Sequence, residues 1–140
     1  MNIAVIGTGM VGRLIAVELS KKYQVYAIDN NKSNLDKLRK KNAKIITKKI
    51  DVKNEDFLKS LDDTDLVVNC VPGFMGFETS KKILEKKTCV EISFMPEDCN
   101  YLKTVAENAN TALYPDAGVA PGLSNMIVGN LISKNRLKEV

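Results

Sequence analysis

Histidine and tryptophan are absent from this 140-residue chain, and only three residues are cysteine and three arginine (Arg13, Arg39 and Arg136). Without histidine, the chain's own side chains cannot assemble a Ser-His or Cys-His nucleophile, and most zinc sites are excluded as well. Cys70, Cys89 and Cys99 are odd in number and show no C-x-x-C spacing. They are therefore read as reduced thiols, which points to a cytoplasmic location. The longest apolar runs are four or five residues, against about 20 for a membrane span, so no membrane crossing is expected. The opening MNIAVIGTGM has no basic stretch before its apolar residues, and that apolar run is too brief for a signal peptide. The chain is long enough to bury a core without a disulfide or metal staple, and its length fits one domain.

Charge is unevenly spread. The formal net charge is +4, but residues 21–49 alone carry +8 and the remainder −4. A basic block of this kind is one signature of nucleic-acid binding. Here the cations are almost all lysine, and only Tyr23 and Tyr26 interleave with them. Arginine forks and stacking rings, the usual base readers, are scarce, so a solvated helix face is favoured over a nucleic-acid partner.

Strands and helices alternate along the chain. Asn2–Gly7 is a short apolar run suited to a strand buried on both faces. Met10–Lys22 then spaces its apolar residues as a helix does. Further strands are predicted at Gln24–Ile28, Lys44–Ile46, Asp65–Val71, Thr88–Ile92 and Thr111–Tyr114. Helices are predicted from Ser33, as an N-cap, to Lys41, and at Glu55–Leu61, Phe77–Lys86, Glu97–Asn108 and Leu123–Ser133, with Pro121 near N1 of the last. Alternation at this interval implies a parallel sheet with right-handed crossovers, covered on both faces.

Gly7-Thr8-Gly9-Met10-Val11-Gly12 reads G-x-G-x-x-G. The pattern is weak alone, but here it follows a predicted strand and opens a predicted helix, the context of a dinucleotide-binding turn. Gly7 permits the tight turn, Gly9 lets a pyrophosphate approach the helix amides of Met10 and Val11, and Gly12 lets the helix lie close on the first strand. Asp29 follows Gly9 by 20 residues, at the end of the second predicted strand. There a carboxylate accepts from the ribose hydroxyls and repels a 2′-phosphate, so NAD is expected over NADP. The alternative is a strand-ending turn or cap, and Lys32 would soften the discrimination. Asn30 adjoins the same ribose position.

The fold implied is α/β, a Rossmann-type doubly wound parallel sheet in three layers with strand order 3-2-1-4-5-6. Ligands in such sheets bind beyond the carboxyl ends of the strands. That rule makes Asp51 and Val52 candidates for the adenine wall, or simply a surface turn. It also brings Cys70, Val71 and Pro72 beneath the cofactor ribose. Cys70, in an apolar strand, reads as a small buried filler rather than a nucleophile.

Two later segments, Ser93-Phe94-Met95-Pro96-Glu97-Asp98 and Asp116-Ala117-Gly118-Val119-Ala120-Pro121-Gly122-Leu123-Ser124-Asn125, narrow the class. With GTGMVG, Asp29, Asp51-Val52 and NCVPGF before them, they resemble the saccharopine dehydrogenase-like family over nearly the whole chain, particularly its lysine 6-dehydrogenase-like members. The resemblance implies an oxidoreductase acting on C–N bonds of amino acids or amines with a nicotinamide coenzyme. It implies that Ser93, Phe94, Asp116, Ala117, Gly118 and Pro121 lie near nicotinamide and substrate. Asp116, the one ionisable group of its loop, either binds a cationic amine or relays its proton, or else caps the following turn. Glu91 stands where the family often carries aspartate, a minor variation.

Family members are usually much longer, with a second domain that binds substrate and often mediates dimerisation, so a small-molecule amine and a homodimer are the implied partners. Residues 1–133 are then the NAD(P)-binding Rossmann domain, and residues 134–140 the lead-in to a substrate domain absent from this chain. The expected behaviour is NAD binding with poor amine turnover. One rival, a non-enzymatic NAD-binding module that gates potassium channels or transporters, shares the first half of the pattern but does not account for DAGVAPGLSN. A weaker one, plain nucleotide sensing or a DNA-binding redox repressor, is motivated by the Lys-rich run.

Overall fold

The computed structural model describes residues 1–135. Six strands form a single parallel sheet: β1 (Asn2–Ile6), β2 (Gln24–Asp29), β3 (Ile46–Lys49), β4 (Leu66–Asn69), β5 (Thr88–Glu91) and β6 (Leu113–Tyr114). Their order is β3-β2-β1-β4-β5-β6, as the sequence predicts. Five helices accompany them: α1 (Met10–Leu19), α2 (Lys32–Lys41), α3 (Gly73–Leu84), α4 (Lys103–Asn108) and α5 (Leu123–Asn135).

Alternation along the strands builds two cores, one on each face. Ile3 and Val5 of β1 join Val25 and Ala27 of β2 and Val68 of β4 beneath Ala16 of α1 and Leu35 and Leu38 of α2. Ala4 and Ile6 point the other way, into a core with Phe57, Leu61, Ile83, Leu84, Leu102 and Ala106. Central strands buried on both faces read as unbroken apolar runs, which is why β1 is so plain in the sequence. The register sets Ile6 of β1 between Ile28 of β2 and Asn69 of β4, so the carboxyl ends of the three central strands finish level. That shared edge positions the site.

Several boundaries differ from expectation, each for a local reason. Asn31, not Ser33, caps α2, its side chain accepting from the Ser33 N–H. β3 begins at Ile46 rather than Lys44 and runs into the lysines. It tolerates them because it is the sheet's edge: the Lys48 ammonium reaches the Ser60 carbonyl and lies over the Tyr26 ring. The helix expected at Glu55–Leu61 is two 3-10 turns, Glu55–Phe57 and Lys59–Leu61. α3 starts at Gly73, four residues before Phe77, with Pro72 as its N-cap; proline ends a strand but is well suited to entering a helix. The expected Glu97–Asn108 helix begins as a 3-10 turn at Cys99 and becomes α4 at Lys103. α5 begins at Leu123 as expected, with Pro121 two residues before it. Most of the expected lead-in at 134–140 lies outside the described residues.

Candidate functional site

A cavity of about 470 Å³ opens at the carboxyl edge of β1, β2 and β4. Its floor is the glycine turn, where Gly7 holds φ +83° and its amide donates to the Ile28 carbonyl at 2.8 Å. A Cβ at Gly12 would stand 1.9 Å from the Gly7 carbonyl oxygen, so only glycine lets α1 settle this close to the end of β1. Gly9 is the opposite case. A Cβ there would meet nothing within 4 Å and would project into open space. Past Gly9, the first-turn amides of α1 have no intrahelical acceptor, since the helix ladder begins with the Arg13 N–H on the Gly9 carbonyl at 3.2 Å. Open space above exposed helix amides is what a diphosphate needs.

The walls come from the neighbouring strand ends. Gly7, Gly9, Met10, Val11 and Gly12 line the cavity on one side, and Asp29, Asn30, Asp51 and Val52 on another. Cys70, Val71 and Pro72 complete it, so the structure brings together all the residues proposed for the nucleotide's adenosine and diphosphate portions. Asn31, Asn34, Ile50 and Met75 also line it and are not evident from the sequence. Asp51 accepts from the Lys53 N–H at 2.9 Å and from the Asn30 side-chain amide at 3.2 Å. These bonds, the backbone one foremost, hold its carboxyl below the usual aspartate range. Burial pushes the Cys70 thiol up to about 12, and that of Cys89 likewise. Neither thiol is ionised near neutrality, which agrees with the reading of Cys70 as a small buried filler rather than a nucleophile.

Asp29 is only 9% exposed, and its carboxylate is bound inside the protein. Oδ2 accepts from the Thr8 N–H at 2.7 Å, the Thr8 hydroxyl at 2.8 Å and the Asn34 amide at 3.2 Å. Oδ1 accepts from the Asn31 N–H at 2.7 Å. Thr8 itself is fully buried. Its one sequence signal is a hydroxyl between two glycines, which composition and periodicity pass over.

Ser93, Phe94, Asp116, Gly118 and Pro121 do not line this cavity. They lie in the loops after β5 and β6, joined where the Ala117 N–H donates to the Glu91 carbonyl at 2.9 Å. The Ser93–Phe94 backbone rests on the first turn of α3: a Cβ at Gly73 would meet the Phe94 carbonyl at 2.6 Å. The fully buried Glu91 carboxylate anchors that loop through Oε1, which accepts from the Ser93 N–H and hydroxyl. Its other oxygen, Oε2, is buried without a partner. Phe94 and Asp116 both hold left-handed backbone, at φ +56° and +52°, a conformation that is strained for a residue as bulky as phenylalanine. Among the described residues, no cluster of acidic or cysteine side chains could hold a metal ion.

A parallel sheet whose strand order reverses between β1 and β4, with a glycine turn open to helix amides, defines a dinucleotide-binding domain. The particular family follows from comparison. A family model described as the saccharopine dehydrogenase NADP binding domain matches residues 3–120, and the chain belongs to that family. It is a nicotinamide-dinucleotide-binding domain of the saccharopine dehydrogenase-like oxidoreductases.

The fold matches that of apo saccharopine dehydrogenase (L-Glu forming) from Saccharomyces cerevisiae, with TM-score 0.84 and 20% identity over 95% of this chain and 31% of that one. It also matches an NAD-binding protein from Listeria innocua, with TM-score 0.68 and 14% identity over 99% of this chain and 41% of that one. For apo scyllo-inositol dehydrogenase from Lactobacillus casei the TM-score is 0.68 and the identity 16%, over 99% and 43% of the two chains. At these identities the structural likeness concerns the fold. The chain spans less than half the length of each of these structures. A search of curated proteins finds no match.

The expected preference for NAD over NADP is corrected by these observations. The matching family is described by NADP, and the Asp29 carboxylate is held by four donors of the protein. Among the described residues no helix is long and apolar enough to cross a membrane.

Proposed function

We propose that this chain is the coenzyme-binding part of an oxidoreductase acting on the C–N bond of an amino acid or amine, with NADP(H) as its coenzyme and NAD(H) also accepted. The observation that carries the reading is the open face above Gly9, set in a cavity whose walls are the level ends of β1, β2 and β4. The amides of Met10 and Val11 would hold the diphosphate, Asp51 and Val52 would flank the adenine, and Cys70–Pro72 would pass beneath the nicotinamide-side ribose.

The bound nicotinamide supplies the hydride acceptor or donor. The chain's own residues position the reacting carbon and manage charge. Asp116, exposed on the loop tied to the end of β5, is suited to binding a cationic amine or accepting its proton. Ser93 and Phe94, packed on the first turn of α3 next to Pro72, would border the nicotinamide end. The yeast enzyme's name supports this substrate class, and the family match supports the coenzyme class. Nothing in the comparisons favours a channel-gating module.

Calorimetric titration with NADP, NAD and ADP-ribose tests the coenzyme reading: micromolar binding is expected, and no binding of any of the three would overturn it. Turnover of lysine, saccharopine and related amines tests the substrate class. Turnover of any of them supports it, and no turnover of any of them by a protein that binds the coenzyme would overturn it.

A further inference from the structure

The acidic residue at the end of β2 is usually read as the group that senses the 2′ position of the adenosine ribose. We infer that Asp29 instead acts as a positioning residue, a clasp that fixes the glycine turn through Thr8 and leaves the 2′ position unread. This inference rests on the nucleotide-binding role proposed above.

An ionised carboxylate offers about four acceptor positions. Here four donors from the protein already engage it: the Thr8 N–H, the Thr8 hydroxyl, the Asn34 amide and the Asn31 N–H. Two of the four come from the single residue between Gly7 and Gly9, and both converge on Oδ2. Hydrogen bonds to a buried charged group are among the stronger ones in a protein. A ribose hydroxyl would have to compete with them at a side chain that is only 9% exposed.

The clasp has a geometric consequence. The Thr8 N–H points into the protein at Asp29, so it is not available to a phosphate. The amides left facing the cavity are those past Gly9. Together with the Gly7 N–H on the Ile28 carbonyl, the Thr8–Asp29 bonds tie the turn to the end of β2 at two successive residues, Ile28 and Asp29. The loop that receives the diphosphate is thereby fixed before any ligand arrives, and preorganisation of this kind raises affinity without adding a contact to the ligand. Because the clasp acts on the diphosphate loop, it serves phosphorylated and unphosphorylated adenosine riboses equally.

ADP and 2′-deoxy-ADP separate the two roles, because they differ only in the hydroxyl that a ribose sensor would bind. For a clasp, the wild-type chain binds both within about threefold, and Asp29→Asn weakens both by the same factor, about tenfold or more, with the NADP-to-NAD affinity ratio unchanged within about threefold. Thr8→Val removes the hydroxyl donor while leaving Asp29 in place, and is expected to weaken both ligands by about tenfold. Thr8→Ser, which keeps the donor, restores binding. A sensor behaves in the opposite way. Asp29→Asn would then cost affinity for ADP but not for 2′-deoxy-ADP and would swing preference towards NADP by about tenfold or more, and Thr8→Val, by freeing Oδ2, would leave ADP binding intact or tighten it. Either result overturns the clasp. Should Asp29→Asn fail to fold, the Thr8→Val and Thr8→Ser pair decides between the same outcomes. A wild-type chain that binds neither ADP nor a dinucleotide would refute the nucleotide reading itself, and the clasp with it.

Discussion

In the glycine turn itself the polar groups find partners, although the buried Nε of Arg13, the residue after Gly12, has none among the described residues. The Gly7 amide meets Ile28, Thr8 meets Asp29, and Asn30 meets Asp51. The loops after β5 and β6 are built differently. Phe94 is 68% exposed on left-handed backbone, Tyr114 and Val119 are 58% and 75% exposed, and Glu91 keeps one buried oxygen without a partner. The first region is stiffened by short bonds to the neighbouring strand, whereas the second stores strain and leaves apolar surface open. On the proposed function, affinity for the nucleotide and chemistry at the substrate would be separable in this fold, because different loops with different supports would carry them.

Thiol chemistry gives the widest contrast. With Cys70 and Cys89 pushed up to about 12 by burial, alkylation at pH 8 should proceed about a thousandfold more slowly at these residues than at an ordinary thiol, leaving Cys99 the favoured target. Residue-resolved mass spectrometry reads this, and rapid labelling of Cys70 would show that this wall of the cavity opens. The same shift fixes a pH dependence. Above the ordinary thiol value of 9.0, the unfolded chain releases protons that the folded chain retains up to about 12. Stability contributed by these groups is therefore complete below about pH 9 and is lost as pH rises towards 12.

Two glycine substitutions separate binding from folding. Gly9→Val should reduce dinucleotide affinity about a hundredfold or more, because its side chain occupies the space open to the diphosphate, with little change in melting temperature. Gly12→Ala should instead destabilise the fold by about 3 kcal/mol, because its Cβ meets a backbone carbonyl that cannot move aside. Paired calorimetry and urea titration check both, and equal loss of stability in the two would erase the distinction. The smallest effect lies in the second region. Phe94→Gly should relieve the left-handed backbone and raise stability by about 1 kcal/mol, leaving ADP affinity unchanged. A drop in ADP affinity would mean that the two loops are mechanically coupled.

How far the sequence reached depended on the range of the interactions involved. β1 and the start of α1 were legible because a strand buried on both faces must be apolar throughout, and the glycine spacing is dictated by contacts within six residues. β3 was misplaced because a lysine-bearing segment reads as solvent-facing. What keeps it in the sheet is a partner 12 residues away, the Ser60 carbonyl, and the Tyr26 ring of the next strand. α3 was begun too late because Pro72 reads as a stop, whereas the helix begins at once against the Ser93–Phe94 loop, about 20 residues on. Thr8 escaped notice altogether. A hydroxyl between two glycines has no periodicity to betray it, and its partner lies 21 residues away.

The sequence by itself determined the strand order, the position of the glycine turn and most of the residues gathered around the cavity at the ends of β1, β2 and β4. Each of these follows from local sterics and from the burial pattern that a doubly covered parallel sheet imposes. Only the tertiary structure decided what Asp29 does. A carboxylate's role depends on which donors reach it, and the four that do so come from the glycine turn and the first turn of α2, brought together by the pairing of β1 with β2.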